Sequence, residues 1–290
     1  MDAFWIILTG SLTAACCGIL GCFLLLRRLS LLGDAVSHAV LPGIFIAYWL
    51  SGSRSSWAVV LGAGAFGMLC TLLIEFLTRK ARLQSDAATG LVFTLLFAIG
   101  VILIAAFAGQ IDLDQDCVLY GEIAYVPLDI WLTEGGTNLG PRAVWTGGAL
   151  LLGILAMVAA GYKGLFITTF DAEYAATLGI STAFWHYALM SAVSLTTVVS
   201  FESVGAVLVV AFLIAPAATA YLLTDNLKAM LGLSVLFGIL AAIGGYYLAA
   251  WLDGSIAGAM ASAMGILFVL VLLWSWYAPI LRPKRWVAAW

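Results

Sequence analysis

The chain has 290 residues, of which 64% are hydrophobic and 9% charged, and its mean hydropathy is +1.12. A soluble domain carries about a quarter of its residues as charges, so that class is excluded, and apolar runs without strict alternation exclude a transmembrane β-barrel. The net charge of −3 comes with no basic face outside short loops, which gives a nucleic-acid partner no basis.

Nine apolar stretches are long enough to span a bilayer: 4–26, 30–50, 57–78, 87–108, 143–161, 183–200, 204–223, 229–251 and 256–277. A tenth, 118–131, is too short and reads as a re-entrant or interfacial helix. The expected fold is an all-α polytopic membrane protein of about eight to nine transmembrane helices, one transmembrane domain over 1–290. The first run follows Asp2 rather than a basic segment and is too long for a signal peptide, so it is expected to stay as a helix. With nine spans and the N-terminus outside, the inner loops hold Arg27, Arg28, Arg79, Lys80, Arg82, Lys163 and Lys228, and the tail holds Arg282, Lys284 and Arg285. Only Arg54 and Arg142 of the twelve basic residues then lie outside, so the C-terminus is expected to be cytoplasmic. Of the five cysteines, Cys16, Cys17, Cys22 and Cys70 lie in apolar runs and Cys117 stands alone. That spacing fits neither a disulfide framework nor a zinc site.

Taken in chain order, the ionisable residues are few. Asp34 and His38, four apart in span two, share one helix face. A carboxylate and an imidazole there can hold a divalent cation, relay a proton or form a structural pair. Pro42 removes the hydrogen bond that the His38 carbonyl would accept and is expected to kink the helix. Glu75 and Arg79 form an ordinary i,i+4 pair, and Asp86 is expected to N-cap span four. The outer loop 109–142 carries Asp112, Asp114, Asp116, Glu122, Asp129 and Glu134. It either concentrates cations or docks a partner, or is simply solvated. The inner loop YKGLFITTFDAEYAATLGIS places Asp171 to cap a short helix, Glu173 at its positive end and Gly179 to end it. Such a helix either transmits force to a soluble partner or merely connects spans. His186 reads as an interfacial structural residue. Glu202, between spans six and seven, either lines the outer mouth of a pathway or is an exposed hairpin residue. Small residues at Gly62, Gly64 and Gly67, and at Ala257, Ala261 and Gly265, allow close helix approach.

The chain lacks GxxxxGK[ST], HExxH and GxSxG, so none of those enzymatic readings applies to it. RRLSLLGDAVSHAVLPGI, residues 27–44, resembles the signature segment of the permease subunits of metal-importing ABC transporters, the ABC-3 family for manganese, zinc and iron(II). FDAEYAATLGI, residues 170–180, resembles that family's cytoplasmic coupling segment, and VVSFESVGAVLVVAFLIAPAATAYLL, residues 198–223, a second characteristic stretch. The resemblance extends over roughly 4–278. It implies a non-enzymatic permease in the bacterial inner membrane, with no permanently bound cofactor and a transported divalent metal. Its implied partners are a cytoplasmic ATP-binding subunit, a second identical or paralogous permease and an extracytoplasmic metal-binding protein.

The same resemblance makes Asp34 and His38 the metal-pathway residues and the helix at Asp171, Glu173 and Gly179 the ATPase-coupling element. Glu202 is a weaker metal candidate, because related permeases often carry a neutral residue such as glutamine there. Carboxylates with one imidazole and no thiolate lean toward manganese, with zinc and iron(II) open. Two other readings are an importer of chelates such as haem or siderophore, and an ATP-independent proton-coupled carrier.

Overall fold

A computed structural model describes residues 2–51, 56–107, 123–132 and 138–277 of this almost wholly helical chain. Among the described residues, nine helical stretches are long and apolar enough to cross a bilayer, one for each stretch expected from the sequence. Helices suit that setting because each satisfies its own backbone where no water can.

The elements in order are α1 (Asp2–Leu26), α2 (Ser30–Ala39), α3 (Leu41–Ser51), α4 (Ser56–Lys80) and α5 (Ser85–Phe107). A 3₁₀ turn (Ile123–Leu128) and a two-stranded antiparallel sheet of β1 (Ile130–Leu132) and β2 (Asn138–Pro141) follow. Then come α6 (Arg142–Phe170), α7 (Ala172–Thr177), α8 (Thr182–Val204), α9 (Ala206–Leu223), α10 (Leu227–Leu252) and α11 (Ile256–Tyr277).

Among the described residues, span two is the one broken span. Its two halves, α2 and α3, meet at Val40, and Pro42 sits in the first turn of α3, where its missing N–H costs least. The helical ladder resumes at once, with Ile44 N–H donating to the Val40 carbonyl at 3.0 Å. Three expectations are corrected. Of the short apolar stretch at 118–131, the described residues form a 3₁₀ turn over Ile123–Leu128 and begin a β-strand at Ile130, as Pro127 favours irregular backbone, while 118–122 lie outside the described residues. Asp86 is inside the first turn of α5 rather than its N-cap, a position that still suits a carboxylate beside the positive helix end. Span five does not end at 161: α6 runs on through Lys163 to Phe170, so most of the expected inner loop is helix. At about 1.5 Å per residue, α6 is about 43 Å long, well beyond a hydrocarbon core of about 30 Å.

The centre of the bundle is α1, packed against α6, α8, α9 and α10, with Cys16, Cys17, Leu20, Cys22 and Phe23 wholly buried. The cysteines thus act as small core residues. α3, α4 and α5 pack on one another, and α2 lies between them and α8 and α9. Glycine sets the closest crossings. A Cβ on Gly43 would come within 2.5 Å of the Gly62 carbonyl oxygen, so α3 and α4 meet backbone to backbone. By contrast, Gly64 and Gly265 meet nothing within 4 Å. Large exposed apolar side chains such as Leu95, Ile102 and Leu152 suit lipid, and Trp251, Trp274 and Tyr277 near helix ends suit its interface.

Of the acidic stretch expected to face outside, Asp112, Asp114, Asp116, Glu122 and Glu134 lie outside the described residues. Asp129 does not: its Oδ1 is 3.7 Å from Arg142 Nε, both side chains mostly exposed, a weak pair.

Candidate metal centre and coupling face

Asp34 and His38 lie one turn apart on α2, with His38 Nε2 3.6 Å from Asp34 Oδ1. That separation is too long for a good hydrogen bond. It suits two ligands of one ion: metal–ligand bonds of about 2.1 Å subtending about 110–120° place donor atoms about 3.4–3.6 Å apart. The Asp34 side chain is 43% exposed and that of His38 25%. Together with Leu31, which is exposed, they form the i, i+3, i+7 stripe that α2 leaves uncovered. The opposite side of α2, Leu32, Ala35, Val36 and Ala39, is buried. An ionisable pair on the open face of a membrane-spanning helix requires water or another protein surface there, not lipid.

The imidazole is held from α5. Its ring centroid lies 5.2 Å from that of Phe93 and 5.6 Å from that of Phe97, the second contact edge-to-face. Phe93, Phe97 and Gly100 share one face of α5 at i, i+4 and i+7 spacing. Gly100 lets α5 approach the break in span two, since a Cβ there would stand 2.9 Å from Pro42 Cδ. Two aromatic walls leave His38 Nδ1 buried without a hydrogen-bond partner among the described residues. Ser37 donates its hydroxyl to the Asp34 carbonyl, and Cys70 Sγ lies 4.0 Å from the Ala35 carbonyl oxygen.

No group of three or more histidine, cysteine, aspartate and glutamate residues converges among the described residues. The α2 pair thus stands as two candidate donors, on a face where further donors could enter. Glu202 belongs to the last turn of α8, just before Gly205 at φ +79, and its side chain lies outside the described residues.

After α6, α7 is built as the sequence implied. Asp171 Oδ1 accepts from Tyr174 N–H at 2.8 Å, capping the helix, with Glu173 in its first turn. Gly179, at φ +76, donates to the Ala176 carbonyl, and Ile180 N–H donates to that of Ala175, a Schellman ending. Only Ala175 of α7 is buried, while Phe170, Tyr174, Leu178 and Phe184 are exposed around it. Gly179→Val is expected to cost about 1–2 kcal/mol, because a side chain resists the left-handed region even where, as here, space is open. Thermal unfolding in detergent, together with protease cleavage near 178–181, measures it; an unshifted melting temperature with unchanged cleavage would contradict this account of the turn.

The pairs that sequence reasoning missed are long-range. Glu75 does pair with Arg79, Oε1 to Nη2 at 2.6 Å, but its Oε2 also accepts from the Tyr187 hydroxyl of α8. Nothing in the spacing of 75 and 187, or of 38 and 93, announces such contacts.

A family model described as the ABC 3 transport family matches residues 3–275. The chain belongs to the ABC 3 transport family. As a member of it, the chain is a multi-pass cell-membrane protein. It is 46% identical over 271 residues to the manganese transport system membrane protein MntD of Bacillus subtilis, covering 93% of this chain and 91% of that one. It is 45% identical over 270 residues to the zinc transport system membrane protein TroD of Treponema pallidum, covering 93% and 73%. Among solved structures it is similar to PsaBC from Streptococcus pneumoniae in complex with Fab, at a TM-score of 0.76 and 30% identity, over 92% of this chain and 90% of that one.

Proposed function

We propose that this ABC 3 family chain is a permease subunit of an ATP-driven importer of divalent transition metal in the bacterial inner membrane, with manganese the favoured ion. The observation that carries this reading is the Asp34–His38 pair, set for one shared cation on the open face of a membrane-spanning helix. A hard carboxylate and a neutral imidazole take manganese, zinc or iron(II) without the thiolates that would favour zinc. The relatives named for manganese and zinc transport support the same range.

The open face of α2 and α5 meets a second permease subunit, identical or paralogous, so that the pathway runs between the two and the missing ligands come from across it. The exposed apolar surface around α7 seats an ATP-binding subunit, which supplies the hydrolysis that this chain does not perform. Residues 109–142 form the outer acidic face for an extracytoplasmic metal-binding protein, with the N-terminus outside and the C-terminus in the cytoplasm. Asp34 and His38 hold the ion transiently, since a transport site must also release it.

The test is uptake of radioactive manganese into proteoliposomes holding the assembled complex. Uptake is expected to require ATP and to be competed by free zinc or iron(II) rather than by their chelates. Uptake that continues without ATP and follows a proton gradient would instead make the chain a secondary carrier, and preferential competition by haem or a siderophore would make it a chelate importer.

A further inference from the structure

Arg27 stands at the turn between α1 and α2, three residues before the helix that carries Asp34 and His38. Its guanidinium does not point away from the protein. Nε donates to Thr169 Oγ1 at 3.1 Å and Nη2 to Thr168 Oγ1 at 3.0 Å, both on the last turn of α6. The two threonine hydroxyls spend their own protons on carbonyls one turn back, Thr168 on Gly164 at 2.8 Å and Thr169 on Leu165 at 2.6 Å. Their lone pairs are thereby left facing the fork of donors, a geometry that a lysine ammonium cannot reproduce.

Both ends of this clamp are anchored. On the arginine side, Arg28 takes the left-handed conformation at φ +59, its N–H donates to the Leu25 carbonyl, and Leu29 N–H donates to that of Leu24 at 2.9 Å. That Schellman turn fixes the direction in which α2 leaves α1. On the threonine side, Asp171 closes α6 through its N–H to the Ile167 carbonyl at 2.8 Å and caps α7 through its carboxylate. One residue, Phe170, lies between Thr169 and that double cap. Trp185 of α8 fills the notch at Gly161 and Gly164, where any Cβ would overlap its indole, and Lys228 Nζ stands 5.3 Å from the centre of the Tyr162 ring. The end of α6 is therefore a fixed strut, and α7 is fastened to it. The guanidinium is partly buried, which lowers its pKa from the ordinary arginine value.

We infer that Arg27 is a positioning residue for coupling: through Thr168 and Thr169 it ties the α1–α2 turn, and with it the metal-holding helix, to the strut that carries α7. A displacement of α7 by an ATP-binding subunit then moves Asp34 and His38 with it, rather than being absorbed in the turn. The inference rests on the reading of α7 as the ATPase-coupling element.

The experiment uses the whole complex in proteoliposomes and reads two rates together, manganese uptake and ATP hydrolysis. Arg27→Gln, and separately Thr168→Val with Thr169→Val, are expected to lower ions moved per ATP about tenfold, the scale of losing charge-assisted hydrogen bonds. The amount of co-purified ATP-binding subunit should stay at the wild-type level. Arg27→Lys should recover only part of the ratio. Combining the arginine and threonine changes should cost no more than either alone, as for two halves of one contact.

Wild-type ratios in Arg27→Gln and in the threonine variant would overturn the inference, as would additive losses or full recovery by lysine. If Arg27→Gln fails to assemble, the threonine variant decides alone, because it keeps the charge and nearly the same side-chain volume. A wild-type complex whose uptake ignores ATP hydrolysis would fail at the earlier step, the assignment of α7, and that result differs from normal wild-type coupling with an unchanged ratio in the variants.

Discussion

Asp34→Asn and His38→Ala are each expected to lower manganese uptake by the assembled complex at least about a hundredfold, equivalent to about 2.7 kcal/mol. Asparagine keeps the shape of the side chain and removes the anionic oxygen, so the change tests the ligand and not the packing. Alanine at 38 removes the imidazole that Phe93 and Phe97 enclose. A two-ligand half-site has little to spare. In the proposed site, losing one donor would leave the ion a single protein ligand from this chain and remove the pairing at 3.6 Å. A structural role predicts a different pattern. There, yield and thermal stability fall while the surviving complexes transport normally. Uptake per assembled complex separates the two, and wild-type uptake in both variants would sink the site assignment. Expression is expected to hold, because both side chains are partly exposed and neither anchors the core.

Much of this molecule was legible in its sequence, for identifiable reasons. Apolar stretches of about 20 residues mark spans because the bilayer imposes a length, and that length does not depend on tertiary contacts. The break at span two follows from Pro42, a local effect, and the shared face of Asp34 and His38 follows from helical periodicity alone. The caps of α7 were equally local: Asp171, three residues before the N–H that it accepts from, and Gly179, at the one position that needs positive φ. Composition misled where tertiary context decides. α6 continues nine residues past its apolar stretch, where Trp185 of α8 packs on its glycine face at Gly161 and Gly164. Asp86, expected as the N-cap, falls inside the first turn of α5, since boundary residues are the least determined by pattern.

The candidate site was legible only in part. Spacing along the chain gives neighbours on one helix; it cannot give a neighbour on another. So Asp34 and His38 were found together, while Phe93 and Phe97, which orient the imidazole, were invisible. The same holds for the Arg27 clamp to α6 and for Tyr187 on Glu75. In each case one partner had a prior reading, His38 as a metal candidate, Arg27 as an inner-loop charge and Glu75 as half of a helix pair, and the other had none. Threonine and phenylalanine inside an apolar run carry no signal of their own.

Gly21→Ala is expected to be the most destabilising single-methyl change in the described core, at about 3 kcal/mol, the upper end for an overpacked site. The reason is what the methyl would meet. A Cβ at position 21 of α1 would overlap the carbonyl oxygen of Leu213 in α9, a backbone atom that no rotamer change can move. Either α1 and α9 separate, opening a gap along Leu20, Phe23 and Phe212, or α9 bends. The same leucine turns its side chain toward α2, where a Cβ at Gly33 would overlap Cδ2. That neighbour is the end of a flexible side chain, so Gly33→Ala should cost less, about 1 kcal/mol. Because residue 33 adjoins Asp34, its larger effect should be on uptake. Gly153, on an exposed face of α6 with nothing within 4 Å of its Cβ, is the control: alanine there should be neutral or stabilise by up to about 1 kcal/mol through helix propensity. Unfolding of the three variants in one detergent, followed by circular dichroism, gives the order. Equal melting of Gly21→Ala and Gly153→Ala would show that α1 and α9 do not depend on backbone contact at this crossing, and would remove the reason for placing α2 through Leu213.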